Sequence, residues 1–269
     1  MLLQVSCDLA FDIAVPTPFI LMLRPRLDMN QRVIDEGYSL TPTTPMAEFI
    51  DSAGNRCQRL VAPPGQFSLQ TWARVEVADV AETQPGAPFI PVPDLPDRVL
   101  DYLLPSRYCE SDRFGQMAAE ITAGRTPGYD QVAAIEEWLR ANVRFVPGSS
   151  EIPLSAVDVN LNQQGVCRDL AHLGIALCRG LTIPARLVVG YLHELEPMEL
   201  HAWFEAYVGG QWYRFDATQR EPKAGYVVTG YGRDATDVAV YNQFGPPVFP
   251  LEQLVSVEQI EESSSPDRV

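Results

Sequence analysis

The sequence contains little of what most cofactor sites are built from. Only three of its 269 residues are histidine, and its five cysteines are widely scattered, with no CxxC pair among them. It lacks an HExxH motif, and the late stretch GYGRDATDV has neither the lysine of a P-loop nor the spacing of GxGxxG. Zinc, iron and phosphate-loop sites therefore have poor support, and we expect neither a metal nor a cofactor.

Positive charge is also scarce, since 20 Lys and Arg residues stand against 35 Asp and Glu, and the formal net charge at pH 7 is −15. Such a field repels nucleic acid and anionic membrane surfaces, so neither is expected as a partner. The most apolar early run, FILML at residues 19–23, is too short to cross a bilayer. Because the start of the sequence lacks the features of a signal peptide and the cysteines suit a reducing compartment, we expect a cytoplasmic protein.

Strands are predicted for the first third of the chain. Apolar and polar residues alternate in VSCDLAFDI (5–13) and again in FSLQTWARVEVADV (67–80), and the residues AGN at 53–55 predict a hairpin turn between them. Five prolines between residues 85 and 96 then exclude a helix or a central strand. An antiparallel β module followed by an extended connector is therefore expected.

Helical periodicity begins after the connector. SDRFGQMAAEITAG predicts a helix that is capped by Ser111 or Asp112 and stopped by Gly124, and YDQVAAIEEWLRANV predicts a second one. A third helix is predicted from about Cys167 to Gly180, after which ARLVVGYL, HAWFEAYV and QWYRFDAT read as strands. Helices followed by an antiparallel sheet indicate an α+β fold rather than a parallel α/β fold.

The predicted organisation therefore has four parts. In chain order they are an N-terminal antiparallel β module at 1–83, a Pro-rich connector at 84–97, an α+β domain at 98–262 and a polar tail at 263–269.

Cys167 is placed at the predicted start of the third helix, two residues after Gly165. There the unpaired backbone N–H groups and the positive end of the helix dipole favour a thiolate. Taken alone, this cysteine is better explained as a small buried apolar residue, which is the usual role of a free cysteine. Cys178, late in the same helix, is interpreted as packing.

The last predicted hairpin changes this interpretation. If Gly209-Gly210 is a two-residue turn, Trp203 faces Asp216, and His201 becomes a diagonal neighbour of Asp216 on the same face, about 7–8 Å away. Each of the two has an ordinary explanation, His201 as a solvent-facing histidine and Asp216 as a strand-end carboxylate. Together with Cys167, however, they supply a nucleophile, a base and an acid that orients the base.

Other candidates are weaker. His172 lies about 140° around an ideal helix from Cys167 and is interpreted as structural. His193 follows a strand and is interpreted as a loop residue. Asp234 and Asp237 are more typical of a solvated turn than of a calcium site.

Several blocks of the sequence resemble the transglutaminase-like cysteine enzymes, in particular a bacterial branch with an N-terminal β module. The blocks are LMLRPR (21–26), GVCRDLAHLGIALCRGLTIPARLVVGYL (165–192), HAWFEAYV (201–208), WYRFDAT (212–218) and GYGRDATDV (230–238). The resemblance implies a papain-like catalytic core at 98–262. Within it Cys167 matches the nucleophile of the family, His201 its base and Asp216 its third member.

The oxyanion site is predicted only in part. The backbone N–H of Cys167, at a helix start, is a natural donor. Papain has a glutamine six residues before its nucleophile, whereas Leu161 stands there in this sequence. The second donor is left unassigned among the following upstream residues: Ser155, Asn160, Asn162, Gln163 and Gln164.

These residues support one leading hypothesis and two alternatives. The Cys167 thiolate attacks an amide carbonyl of a peptide, an isopeptide or a glutamine side chain, and His201 protonates the departing amine before it activates water. An amine acceptor in place of water would give a transglutaminase or transpeptidase. A peptide-binding module that kept the fold and lost the chemistry is the alternative from another class. The expected partner is a peptide or protein substrate, and the oligomeric state stays open.

Overall fold

The N-terminal part of the protein is built from strands. The computed structural model describes residues 1–27 and 30–260, so the predicted polar tail at 263–269 lies outside the described residues. The first six strands are β1 (Leu2–Ile13), β2 (Thr17–Leu21), β3 (Gln31–Thr41), β4 (Met46–Ile50), β5 (Arg56–Ala62) and β6 (Gly65–Val77). The predicted hairpin is confirmed, because β4 and β5 are antiparallel and Ile50 pairs with Arg56 across the 51–55 turn.

The Pro-rich segment at 84–97 is irregular apart from a 3-10 turn at Val92–Asp94, an isolated bridge residue and Asp97, which begins a 3-10 helix at Asp97–Leu103. It does not hang free. The Phe89 N–H donates to the carbonyl of Pro127, and Pro88 accepts a hydrogen bond from the Gly209 N–H. Pro88 and Phe89 therefore fasten the connector to the α+β part of the chain.

Four α-helices follow in the described residues. They are α1 (Gly115–Ile121), α2 (Tyr129–Asn142), α3 (Ala156–Asn162) and α4 (Cys167–Gly180). The predictions for α2 and α4 are confirmed.

The prediction for α1 is wrong at both ends. Ser111–Arg113 forms a 3-10 turn, and the α-helix begins only at Gly115 and ends at Ile121. Phe114, whose side chain is buried in the core, separates this turn from the α-helix. Ser111 is therefore too far from Gly115 to cap the helix, and it is itself buried. Helix α3 was not predicted, although Ser155 and Asp158 form a capping box at its start.

The remaining strands follow the helices or lie between them. They are β7 (Arg144–Phe145), β8 (Gln164–Gly165), β9 (Ala185–Leu192), β10 (His201–Val208), β11 (Gln211–Phe215), β12 (Tyr226–Gly232), β13 (Tyr241–Gln243) and β14 (Glu252–Gln259). β11, β10, β9 and β12 form an antiparallel sheet in that order, and β7 and β8 form a short parallel pair. Val208 pairs with Gln211, so the predicted register of the β10–β11 hairpin is confirmed.

Helix α4 packs against this sheet, and the predicted α+β class is confirmed. Every residue from Asp169 to Arg179 is buried. On β10, Ala202, Phe204 and Ala206 belong to the same core cluster as α4. Because side chains alternate along a strand, His201 and Trp203 lie on the other face.

The two C-terminal strands return to the N-terminal module. One sheet has the order β14-β1-β6-β3 and the other β13-β2-β5-β4. The prediction that grouped residues 98–262 in one unit did not anticipate this pairing. Strand periodicity identifies a strand, but it does not identify a partner that is more than 200 residues away. No helix in the described ranges is long and apolar enough to cross a membrane.

Gly174 allows α4 to lie close to β10, and its replacement should destabilise the fold. A Cβ atom there would be 2.7 Å from Cε1 of Phe204, whose ring is buried. Exposed helical glycines usually gain about 0.5–1 kcal/mol on replacement by alanine. We expect Gly174→Ala to lower the free energy of unfolding instead, by about 1–3 kcal/mol, in urea denaturation.

A smaller partner should relieve this overpacking. In a Phe204→Leu background the loss caused by Gly174→Ala should shrink, which a double-mutant cycle measures. An unchanged or raised urea midpoint in the single variant would contradict the close approach.

Candidate active site

The three residues that the sequence singled out lie at the ends of three elements. Cys167 is the first residue of α4, His201 is the first residue of β10, and Asp216 follows the last residue of β11. His201 is 3% exposed and Asp216 is 6% exposed. The start of α4, the start of β10 and the end of β11 therefore lie at one edge of the sheet, where they bring the thiol, the imidazole and the carboxylate together.

His201 and Asp216 form a buried pair. Nε2 of His201 lies 2.6 Å from Oδ2 of Asp216, so the predicted side-chain contact across the hairpin is confirmed. The carboxylate also accepts hydrogen bonds from Oη of Tyr226 at 2.8 Å, and from the N–H and Oγ1 of Thr218 at 3.0 and 2.7 Å. Burial raises the pKa of Asp216, but His201 and these donors outweigh it and hold the pKa below its usual range.

Asp216 in turn charges the imidazole. Burial lowers the pKa of His201, but the charge and hydrogen bond of Asp216 outweigh burial, with a further contribution from Cys167, and the pKa rises to about 10. Asp216 therefore favours the protonated, imidazolium form of His201. Because Nε2 is bonded to Asp216, Nδ1 is the ring nitrogen left for the hydrogen bond with the Cys167 sulfur. The ring of Trp203 stacks beside the imidazole, with 6.1 Å between the ring centroids.

Cys167 differs from the other four cysteines in its exposure. All five are free, but only Cys167 is partly exposed. Burial is the main reason why the pKa of Cys57 rises to about 11 and that of Cys7 to about 12. Burial raises the pKa values of Cys109 and Cys178 further still.

The start of α4 is held by Asp169, a residue that sequence reasoning missed. Its side chain is fully buried and accepts hydrogen bonds from the backbone N–H groups of Val166 at 3.2 Å and Leu154 at 3.1 Å. Oγ of Ser150 also binds this carboxylate. A carboxylate in the first turn of a helix is the available signal. Asp169 thus ties the 150–154 segment to the helix turn that carries Cys167.

The candidates for a second oxyanion donor are spread over several elements, and the donor stays unassigned. Ser155 caps α3 through Asp158, and the side-chain oxygen of Gln164 accepts a hydrogen bond from Arg144. Asn160 and Asn162 lie on α3, and Gln163 follows it in a left-handed conformation.

His172 is structural, as predicted. It is fully buried, and its ring stacks on Tyr108 with 5.2 Å between ring centroids. Nε2 accepts a hydrogen bond from the Ala235 N–H at 3.2 Å, so Nδ1 carries the proton and donates to the Leu154 carbonyl at 2.8 Å. Burial is the main cause that lowers the pKa of His172 to about 4. His193 follows β9 in a turn, as predicted.

The interpretation of Asp234 as part of a solvated turn is wrong. Asp234 is 1% exposed and accepts hydrogen bonds from the backbone N–H groups of Tyr108 at 2.7 Å and Thr236 at 2.8 Å. Its carboxylate satisfies the backbone of a buried loop, whereas Asp237 pairs with Arg233 near the surface. Within residues 1–27 and 30–260, no group of three His, Cys, Asp or Glu side chains is arranged to hold a metal.

Comparisons with known proteins agree with the resemblance noted in the sequence. The family model of the transglutaminase-like superfamily matches residues 115–217, a range that contains Cys167, His201 and Asp216. The crystal structure of a "putative cysteine protease" from Cytophaga hutchinsonii is 35% identical and superposes with a TM-score of 0.90. The match covers 100% of this chain and 94% of that one. The predicted papain- and transglutaminase-like core, preceded by an antiparallel β domain, is thereby confirmed.

Bacterial relatives of unassigned function are also similar. An uncharacterized protein of Mycobacterium leprae is 29% identical over 231 residues, which are 81% of this chain and 82% of that protein. An uncharacterized protein of Mycobacterium tuberculosis is 27% identical over 143 residues, which are 48% of this chain and 46% of that protein.

The exposure of Cys167 predicts selective chemical labelling. At pH 7, limiting iodoacetamide should modify Cys167 at least about tenfold faster than any other cysteine, because the other four thiols are buried. Mass spectrometry of tryptic peptides measures this, and Cys167→Ala should remove the fast phase. Equal labelling of all cysteines, or faster labelling of Cys178, would contradict the assignment of the accessible thiol.

His172 predicts a loss of stability in acid. Between pH 6.5 and about 4 the unfolded chain binds a proton at this histidine and the folded chain does not, so stability falls as the pH falls through that window. We expect wild type to lose about 2–3 kcal/mol more than His172→Gln between pH 7 and pH 4.5. Urea denaturation at both pH values measures the difference, and parallel losses in the two proteins would contradict it.

Proposed function

Because the chain belongs to the transglutaminase-like superfamily, we propose that it is a cysteine enzyme that cleaves amide bonds of peptides or proteins. Cys167 is the proposed nucleophile, His201 the general acid and base, and Asp216 the residue that orients and charges His201. The observation that carries the proposal is the buried His201–Asp216 pair beside the one partly exposed thiol.

The proposed reaction follows from the charges of the site. Protonated His201 stabilises a thiolate at Cys167, which attacks the amide carbonyl. The oxyanion that forms meets the Cys167 N–H, which has no acceptor within α4 because Cys167 is the first helical residue. His201 then donates its proton to the departing amine, and the neutral imidazole activates water to hydrolyse the thioester.

Asp216 is proposed to make both proton transfers by His201 repeatable. Its carboxylate keeps Nε2 protonated and faces the imidazole throughout, so Nδ1 is free to give up and regain the proton. Tyr226 and Thr218 hold the carboxylate in place. We further propose the cytoplasm as the compartment, which the five free thiols support. An amine is the proposed alternative to water as the acyl acceptor.

A non-catalytic peptide-binding module is less well supported than an enzyme. Two buried charges are costly to take out of water, and a well-packed apolar replacement is often at least as stable, so stability of the fold does not require such a pair. Here four hydrogen bonds converge on one buried carboxylate and leave its imidazolium facing an accessible sulfur.

Variants of the three residues test the proposal. Against a peptide library read by mass spectrometry, Cys167→Ala and His201→Ala should abolish turnover because each removes a chemical step. Asp216→Asn should leave a measurable remainder, with a loss of up to about 10⁴-fold as in a serine triad, because it removes the charge that stabilises the imidazolium.

Thermal melts of the three variants serve as the folding control. Full activity in Asp216→Asn with an unchanged pH dependence would exclude Asp216 as the third member. Turnover in Cys167→Ala would overturn the assignment of Cys167 as the nucleophile and with it the proposed cysteine mechanism. Products that retain an added amine would assign the transferase alternative.

A further inference from the structure

Asp216 is the first residue after the hydrogen-bonded part of β11. The hydrogen-bonded ladder between β10 and β11 ends at the pair Phe204–Phe215, one residue before Asp216. The Asp216 N–H instead donates to Oε1 of Glu136 on α2, at 2.6 Å. A side chain on a helix thus takes the place that a neighbouring strand would otherwise have.

The same helix also holds the other end of the turn. Arg140, one helical turn after Glu136, lies 3.4 Å from its carboxylate and donates from Nε to the Gln219 carbonyl at 2.8 Å. The Gln219 N–H closes the turn by donating to the Asp216 carbonyl at 3.1 Å. Two adjacent side chains of α2 therefore hold residues 216–219 at both ends.

The location of Glu136 is unfavourable for stability alone. Its side chain is 19% exposed and close to a second carboxylate. Burial is the main cause that raises the pKa of Glu136, and the charge of Asp216 adds to it, whereas Arg140 and the hydrogen bond from the Asp216 N–H oppose the rise. Two carboxylates in one partly buried region repel each other. The arrangement is explained if the backbone bond from Glu136 gives Asp216 the position in which it meets His201.

We propose that Glu136 is a positioning residue for Asp216: it anchors the backbone where the strand ladder has ended and so aligns the carboxylate with Nε2 of His201. The inference rests on the proposed function. The polar contacts of Glu136 are with the Asp216 N–H and with Arg140, so its effect on the thiol and the imidazole passes through Asp216.

The alkylation rate of Cys167 by iodoacetamide, followed from pH 4 to pH 10, tests this inference without a known substrate. Glu136→Ala removes the acceptor, lets Asp216 move and weakens the support of the imidazolium. We expect the rate at pH 6 to fall about tenfold and the midpoint of the profile to rise by about one pH unit. Glu136→Gln keeps an acceptor oxygen and should remain within about threefold of wild type.

The neighbouring residue provides a matched control. The side chain of Glu137 is 61% exposed and pairs with Arg125 at the surface, so Glu137→Ala should leave the profile unchanged. Thermal melts of every variant separate loss of fold from loss of position. If Glu136→Ala does not fold, the alkylation rate of Glu136→Gln is the test, because this variant keeps the acceptor oxygen. A rate within about threefold of wild type supports the role of the acceptor, and a tenfold fall in this folded variant would overturn it.

His201→Ala distinguishes failure of the inference from failure of the proposed function. An unchanged profile in Glu136→Ala, with a collapsed rate in His201→Ala, would overturn the role of Glu136 and leave the triad standing. An unchanged profile in His201→Ala would overturn the triad and the inference together.

Discussion

The buried charge of Asp216 requires several elements to be in place together. A carboxylate in the interior is tolerated only when donors satisfy its oxygens. Its donors come from the start of β10, from the turn after β11 and from the start of β12, through His201, Thr218 and Tyr226. The site therefore exists only when the whole sheet β11-β10-β9-β12 is formed. Packing of α4 on the opposite face then brings the thiol to the same edge.

The N-terminal module completes that sheet. β12 lies at its edge, where unpaired backbone groups would otherwise face outward. The side-chain amide of Gln31 bonds both the N–H and the carbonyl of Val228, and Asn55 does the same for Tyr231. Two amide side chains thus take the place of a further strand. Because β12 carries Tyr226, the module supports the strand from which one donor reaches Asp216.

Local sequence signals predicted much of this site, whereas contacts between residues far apart in the sequence could not be predicted. The two glycines at 209–210 set the register that joins His201 to Asp216, and Gly165 with the apolar run after it marked the start of α4. The ladder, however, ends at Phe215, and nothing local shows that a helix 80 residues earlier holds the next N–H. The burial of Asp234 escaped for the same reason, since its partner Tyr108 is 126 residues distant.

The pairing of β14 with β1 has a consequence for synthesis on the ribosome. β1 is made first, but its partner on one side is made after the entire helical core. The first sheet cannot be completed until β14 has left the exit tunnel, so the nascent chain carries β1 with one edge open while residues 98–240 emerge. Contacts of such long sequence separation form slowly. Helix α4 and the sheet it packs on can therefore form earlier, whereas the N-terminal sheet depends on the strand that is made last.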